Sequence, residues 1–204
     1  MTLNIDEGYI KYQSFWTKAP IPNASAAEEL DTWRRPLFDA GLIGQYEEYG
    51  IGFGNISIRC GGPGEYMISG TQTGHLADTD KTHYALVTSW SVHGNRVCCV
   101  GQVQASSEAM THAAIYQLDL KIGAIVHVHS GELWRRHLGL LPTTDPDVAY
   151  GTPEMANEFR RLYSDTDFRK TKLAVMAGHE EGLLSFGTTL EEAANRVLEL
   201  QAAL

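Results

Sequence analysis

The apolar run IGAIVHV, residues 122–128, is followed at once by a second histidine, so His127 and His129 stand one residue apart at its end. On a strand, side chains two apart share a face, and these two rings therefore project together from a segment whose composition calls for burial. Two buried polar rings on one face cost free energy unless something satisfies them. A hydrogen-bonded polar pair accounts for the spacing as well as a metal ion does, and imidazole pairs suit zinc and its first-row neighbours. Either way, the fold must bring partners to that face.

His179 lies in the turn GHEEG between two apolar segments, where it can complete a three-histidine grip. Three protein ligands with a fourth position open characterise a catalytic rather than a structural zinc. Just upstream of the histidine pair, ASSEAMTHAA places Glu108 at a helix start, where the macrodipole favours its charged form and apolar packing pushes its pKa back up. Ser106 and Ser107 are natural caps for that helix, and a helix start with two hydroxyls also suits an anion. His112, one turn on, either orients the Glu108 carboxylate or is a spare ligand, and the first role is preferred. The segment SGTQTG, 69–74, can wrap an anion with N–H and O–H groups, although its composition alone reads as a polar turn. His75, His83, His93 and His137 read as surface or locally bonded residues. No Walker-type loop, no G-x-G-x-x-G after a strand and no G-x-S-x-G elbow is present, and Lys172 lacks the surroundings of a Schiff-base lysine.

At 204 residues the chain is long enough to bury a core without disulfide or metal staples. We expect a single domain over 1–204, with 1–24 an arm packed on the body or on a neighbouring subunit. The net charge of -9 and the lack of any Lys/Arg cluster argue against a nucleic-acid surface. The three cysteines have no framework spacing, and read as small apolar residues in a reducing compartment. No leader-like start or membrane-length apolar run occurs, which predicts a cytoplasmic protein. Ser25 and Glu28 have the form of a capping box for a helix running to about Ala40, with a kink at Pro36. Hairpins follow at 55–69 and 84–100, then a helix over 107–120 and the histidine strand. Thr152, Pro153 and Glu154 open another helix, 173–178 pairs with 181–187, and Thr189 with Glu192 caps the last helix. Helices and hairpins on one sheet give a layered α/β domain with a mostly antiparallel or mixed sheet.

Taken in this order, GNISIR, ISGTQTG, ASSE, HVHS, YGTPEMA and GHEEGLLSFG resemble the class II aldolase/adducin family from residue 25 to the end. The resemblance implies a three-layer α/β/α fold and a homotetramer with active sites at subunit interfaces. It makes His127, His129 and His179 ligands of zinc or another divalent first-row metal, and Glu108 the general acid/base. It places the anionic end of a substrate on Asn55, on Thr73 with Gly74, and on Ser106 with Ser107. The implied activity is reversible carbon–carbon bond cleavage in a small hydroxy-carbonyl compound, a sugar or sugar phosphate, through a zinc-stabilised enediolate. A sugar-phosphate 4-epimerase or dehydratase uses the same kind of site, and adducin-like scaffolds share the fold without catalysis. SGTQTG is longer than the family's usual Thr-Pro-Ser/Thr-Gly loop. No tyrosine soon after His129 matches the one that protonates the leaving aldehyde in sugar-phosphate members, and Tyr150, inside YGTPEMA, reads as structural.

Overall fold

The computed structural model describes residues 8–204. In chain order the elements are β1 (Gln13–Lys18), α1 (Ala24–Asp39), β2 (Gly44–Tyr46), β3 (Ile51–Phe53), β4 (Asn55–Arg59), β5 (Tyr66–Ser69), β6 (Tyr84–Ser91) and β7 (Arg96–Gly101). They continue with α2 (Ala109–Leu118), β8 (Ala124–His129), α3 (Gly131–His137), α4 (Pro153–Asp165), α5 (Phe168–Thr171), β9 (Leu173–Val175), β10 (Gly182–Gly187) and α6 (Leu190–Ala202). One eight-stranded sheet has the order β1-β7-β6-β5-β4-β8-β10-β9, and β2 pairs with β3 as a separate hairpin. Every pairing in the large sheet is antiparallel except that of β1 with β7.

The sheet is covered on both faces, which is why β8 is buried on both sides of its alternation. Ile125 faces a core built with Met110 and Ala113 of α2, Phe159 of α4 and Phe168 of α5. Ala124, Val126 and Val128 face the opposite core, with Leu30 and Leu37 of α1 and Ala193 and Val197 of α6. This is the expected three-layer α/β/α arrangement. By parity His127 and His129 lie on the α2 side, with Ile125.

Several local expectations are corrected. The cap of α1 is Asn23, which accepts from the Ala26 N–H, and Ser25 donates its hydroxyl to the Asn23 side chain instead of capping. The proposed N-terminal arm contains β1, an edge strand in parallel register with β7; residues 1–7 of that arm lie outside the described residues. The helix expected from 107 begins at Ala109, with Glu108 as its cap residue. Pro36 sits within α1, and Thr152 and Thr189 cap their helices as their sequences predict. Among the described residues no helix is long and apolar enough to cross a membrane.

Candidate active site

Strand β8 delivers His127 and His129 side by side, and the turn between β9 and β10 brings His179 onto them. All three are buried, and their ligand atoms lie within 4.8 Å of one another. The rings pack closely: His127 and His179 stack at 5.0 Å between centroids, and His129 meets each of them edge-on. Gly182 makes this approach possible. A Cβ there would stand 2.9 Å from the His179 carbonyl oxygen and 3.2 Å from both His127 Cε1 and His179 Nδ1. Gly182→Ala is therefore expected to spread the histidines and weaken metal binding, with a loss of about 1–3 kcal/mol in stability typical of overpacking. Chelator competition together with urea unfolding measures both, and unchanged metal affinity would contradict this geometry.

The hydrogen bonds decide which nitrogens are available. His127 Nδ1 is 3.0 Å from the Leu183 carbonyl oxygen, which can only accept, so that nitrogen carries the proton. Tyr46 donates its hydroxyl to Glu181 at 2.8 Å, so its oxygen is left to accept from His129 Nδ1 at 3.0 Å. Both Nε2 atoms then present lone pairs, and they face each other across 3.1 Å. A metal ion between two acceptors so placed would take up both lone pairs. For comparison, two nitrogens at zinc distances on tetrahedral directions stand about 3.3 Å apart. The three-histidine group thus fits a metal ion. Burial, then the proximity of His179 and of other histidines, holds the imidazoles of His127 and His129 well below their usual pKa, in the neutral form that ligates.

Glu108 brings a carboxylate to the histidines. It is 1% exposed, and its Oε1 lies 3.6 Å from His179 Nδ1. As the cap residue of α2 it makes no side-chain bond to the helix end, and Ser106 Oγ accepts its backbone N–H at 3.2 Å instead. The carboxylate is thereby left turned toward the histidines. Tyr150, expected to be structural, stacks on His179 at 4.4 Å, and its hydroxyl accepts the Tyr9 N–H at 3.1 Å, so it also buttresses the site. His112 departs from the preferred expectation. Its Nδ1 is engaged by Ser57 Oγ at 2.7 Å, in a chain continued to the Tyr116 hydroxyl at 2.8 Å, and it lies outside the three-histidine group. Lys172 is paired with Glu192 at 2.5 Å.

Asn55, Thr73, Gly74, Ser106 and Ser107 line one small polar pocket, together with the glycines at 52 and 54. Asn55 is register-paired with His127 across β4 and β8, so their side chains share a face and the pocket adjoins the histidine group. Asn55 Oδ1 is buried without a partner among the described residues. Thr73 is less available than its sequence suggests, because its hydroxyl donates to the Gly70 carbonyl oxygen at 2.8 Å.

Sequence reasoning missed Arg34, Tyr46 and Glu181. Arg34, 1% exposed, gathers the carbonyl oxygens of Thr73, Gly74 and Leu76 from behind the pocket loop. Its position was readable, since Ala27, Leu30, Arg34 and Leu37 fall on one helix face and only Arg34 is charged. Tyr46 and Glu181 carried no such signal.

Residues 42–204 match the model of the class II aldolase and adducin N-terminal domain, and the chain belongs to that family. No curated protein matches it. Among solved structures it is similar to YgbL of Klebsiella pneumoniae, described as a putative aldolase/epimerase/decarboxylase, at 21% identity and a TM-score of 0.64, covering 87% of this chain and 86% of that one. A sugar-phosphate aldolase from Thermotoga maritima is 18% identical with a TM-score of 0.65, covering 88% and 91% of the respective chains. The L-fuculose-1-phosphate aldolase of Thermus thermophilus is 18% identical with a TM-score of 0.62, over the same shares. At these identities the likeness is one of fold.

Proposed function

We propose that this protein is a zinc-dependent class II aldolase-type lyase that reversibly cleaves a carbon–carbon bond in a small hydroxy-carbonyl compound, a sugar or sugar phosphate. The observation that carries the reading is the buried Glu108 carboxylate 3.6 Å from the third histidine of a group suited to a cation. His127, His129 and His179 would hold the metal, whose chemistry when bound is Lewis-acid polarisation of substrate oxygens. Glu108 takes and returns the proton at the reacting carbon or oxygen, from a site whose walls exclude bulk water. Asn55, Ser106 and Ser107 offer N–H and O–H donors to the far end of the substrate, and Thr73 and Gly74 contribute the backbone of the loop that Arg34 holds. The chain acts as one domain, assembled as a cytoplasmic homotetramer.

A sugar-phosphate 4-epimerase or a dehydratase is the second reading, because the same metal site and carboxylate serve either chemistry. A non-catalytic adducin-like scaffold would have no use for three buried histidines held beside a buried carboxylate. Incubation of metal-replete protein with paired free and phosphorylated keto-sugars separates these readings. Aldehyde release, faster for the phosphorylated member of a pair, is the expected result. Interconversion of epimers without aldehyde, or loss of water, would replace the aldolase reading.

A further inference from the structure

We propose that Tyr46 and Glu181 are positioning residues of the metal centre, a carboxylate–hydroxyl relay that fixes His129 in the tautomer presenting Nε2. The inference rests on the metal reading of the three histidines. The relay runs from Glu181 Oε2 to the Tyr46 hydroxyl at 2.8 Å and from that oxygen to His129 Nδ1 at 3.0 Å. A hydroxyl whose proton is committed to a carboxylate can only accept from the imidazole, so the His129 proton is held on Nδ1 and the lone pair on Nε2.

Its parts come from three places in the chain that the fold converges. Tyr46 ends β2, and Phe53 ends β3, the partner strand of that small hairpin. Phe53 stacks on the His129 ring at 5.4 Å and packs at a tilt against Tyr46 at 4.7 Å, so the hairpin grips His129 by an aromatic face and a hydrogen bond together. Glu181 lies in the turn that carries His179, and its backbone sits at a φ of +66°, a conformation that side chains other than glycine rarely adopt. Its carbonyl oxygen accepts the Ser130 N–H at 2.9 Å, tying it to the residue after His129. Gly131 leaves room for its carboxylate, since a Cβ there would stand 2.7 Å from Glu181 Oε1. Backbone strain maintained by several independent contacts is typical of a functional position.

With the carboxylate removed, the Tyr46 hydroxyl can donate to His129 Nδ1 instead. That moves the imidazole proton to Nε2 and leaves no lone pair for the metal. Zinc affinity of the full chain, measured by chelator competition, is expected to fall about 10- to 100-fold in Glu181→Ala and in Tyr46→Phe. The double variant should be no worse than Tyr46→Phe alone. Glu181→Gln, whose amide oxygen still accepts from Tyr46, should restore most of the affinity, and Tyr49→Phe, an exposed tyrosine of the same hairpin connection, should change nothing. Imidazole nitrogen NMR of the metal-free protein provides the readout that a merely structural role would not move: Nδ1-protonated His129 in the parent and a shift toward the Nε2-protonated form in Glu181→Ala. Unchanged affinity in both single variants, additive losses in the double, or an unchanged tautomer would overturn the relay. A parent protein without zinc affinity would overturn the metal reading instead, and the tautomer measurement would still decide the relay.

Discussion

Glu108→Gln is expected to lower turnover by about 10²- to 10⁴-fold while leaving a full complement of metal at saturation. The substitution keeps the shape and hydrogen-bonding reach of the side chain and removes only its ability to take and return a proton. Because the residue is 1% exposed, bulk water has little access to take over that task. The contact with His179 is 3.6 Å, long enough that its loss should disturb the ligand far less than loss of a ligating nitrogen would. Hydrogen–deuterium exchange at the substrate carbon next to the carbonyl, followed by NMR, measures the proton step without depending on aldehyde release. Both exchange and turnover should fall together. Glu180→Gln, at an exposed neighbour of the ligand turn, is the matched control and should be silent. Full exchange in Glu108→Gln with metal bound would remove Glu108 from the mechanism.

How far the sequence reached depended on which interactions are local. The period-two alternation of β8 placed His127 and His129 on one face, and the helix start at Ser106–Glu108 put the carboxylate near the end of a core helix; both are short-range patterns and both hold in the fold. Partners are a different matter. Asn23 outcompeted Ser25 as the cap of α1 by a choice between adjacent residues of similar chemistry. The hairpin strands β2 and β3 have three residues each, too few for alternation to register, and Tyr46 at the end of one of them reaches His129 across 83 positions of chain. His112 turned to Ser57, 55 positions away, because the sheet puts a hydroxyl there and the helix puts the carboxylate elsewhere. β1 was hidden for another reason. Most of its residues are exposed, so as an edge strand it carries no buried face to alternate against. Faces are written in local periodicity, whereas the second member of each hydrogen bond is set by topology.

Acidification is expected to unfold the metal-free protein well before its carboxylates alone would require. His112 is wholly buried, and burial lowers its pKa from the usual 6.5 to about 3; His127 and His129 are shifted in the same direction by burial and by neighbouring histidines. The sign follows from linkage. Between the unfolded and folded values the unfolded chain binds protons that the native one refuses, so the stability present above about pH 6.5 is lost as the pH falls toward the folded value. Each such histidine contributes up to about 1.4 kcal/mol per pH unit while it stays neutral in the fold. For His112 alone that amounts to roughly 2.7 kcal/mol by pH 4.5, and His127 and His129 act in the same direction. Set against a typical total of about 5–15 kcal/mol, this is a substantial share of the stability, lost within the mildly acidic range. Urea midpoints at pH 7.5, 6.5, 5.5 and 4.5 should fall steeply below 6.5 in metal-free protein. In His112→Asn the midpoint at pH 7.5 drops because a buried ring is lost, yet the slope below 6.5 should flatten by about one proton, since one refusing group is gone. The slope, not the intercept, is the decisive quantity: a parent protein whose stability is flat from pH 6.5 to 4.5 would mean that these imidazoles charge freely in the fold, and the neutral, metal-ready state of the site would have to be abandoned with it.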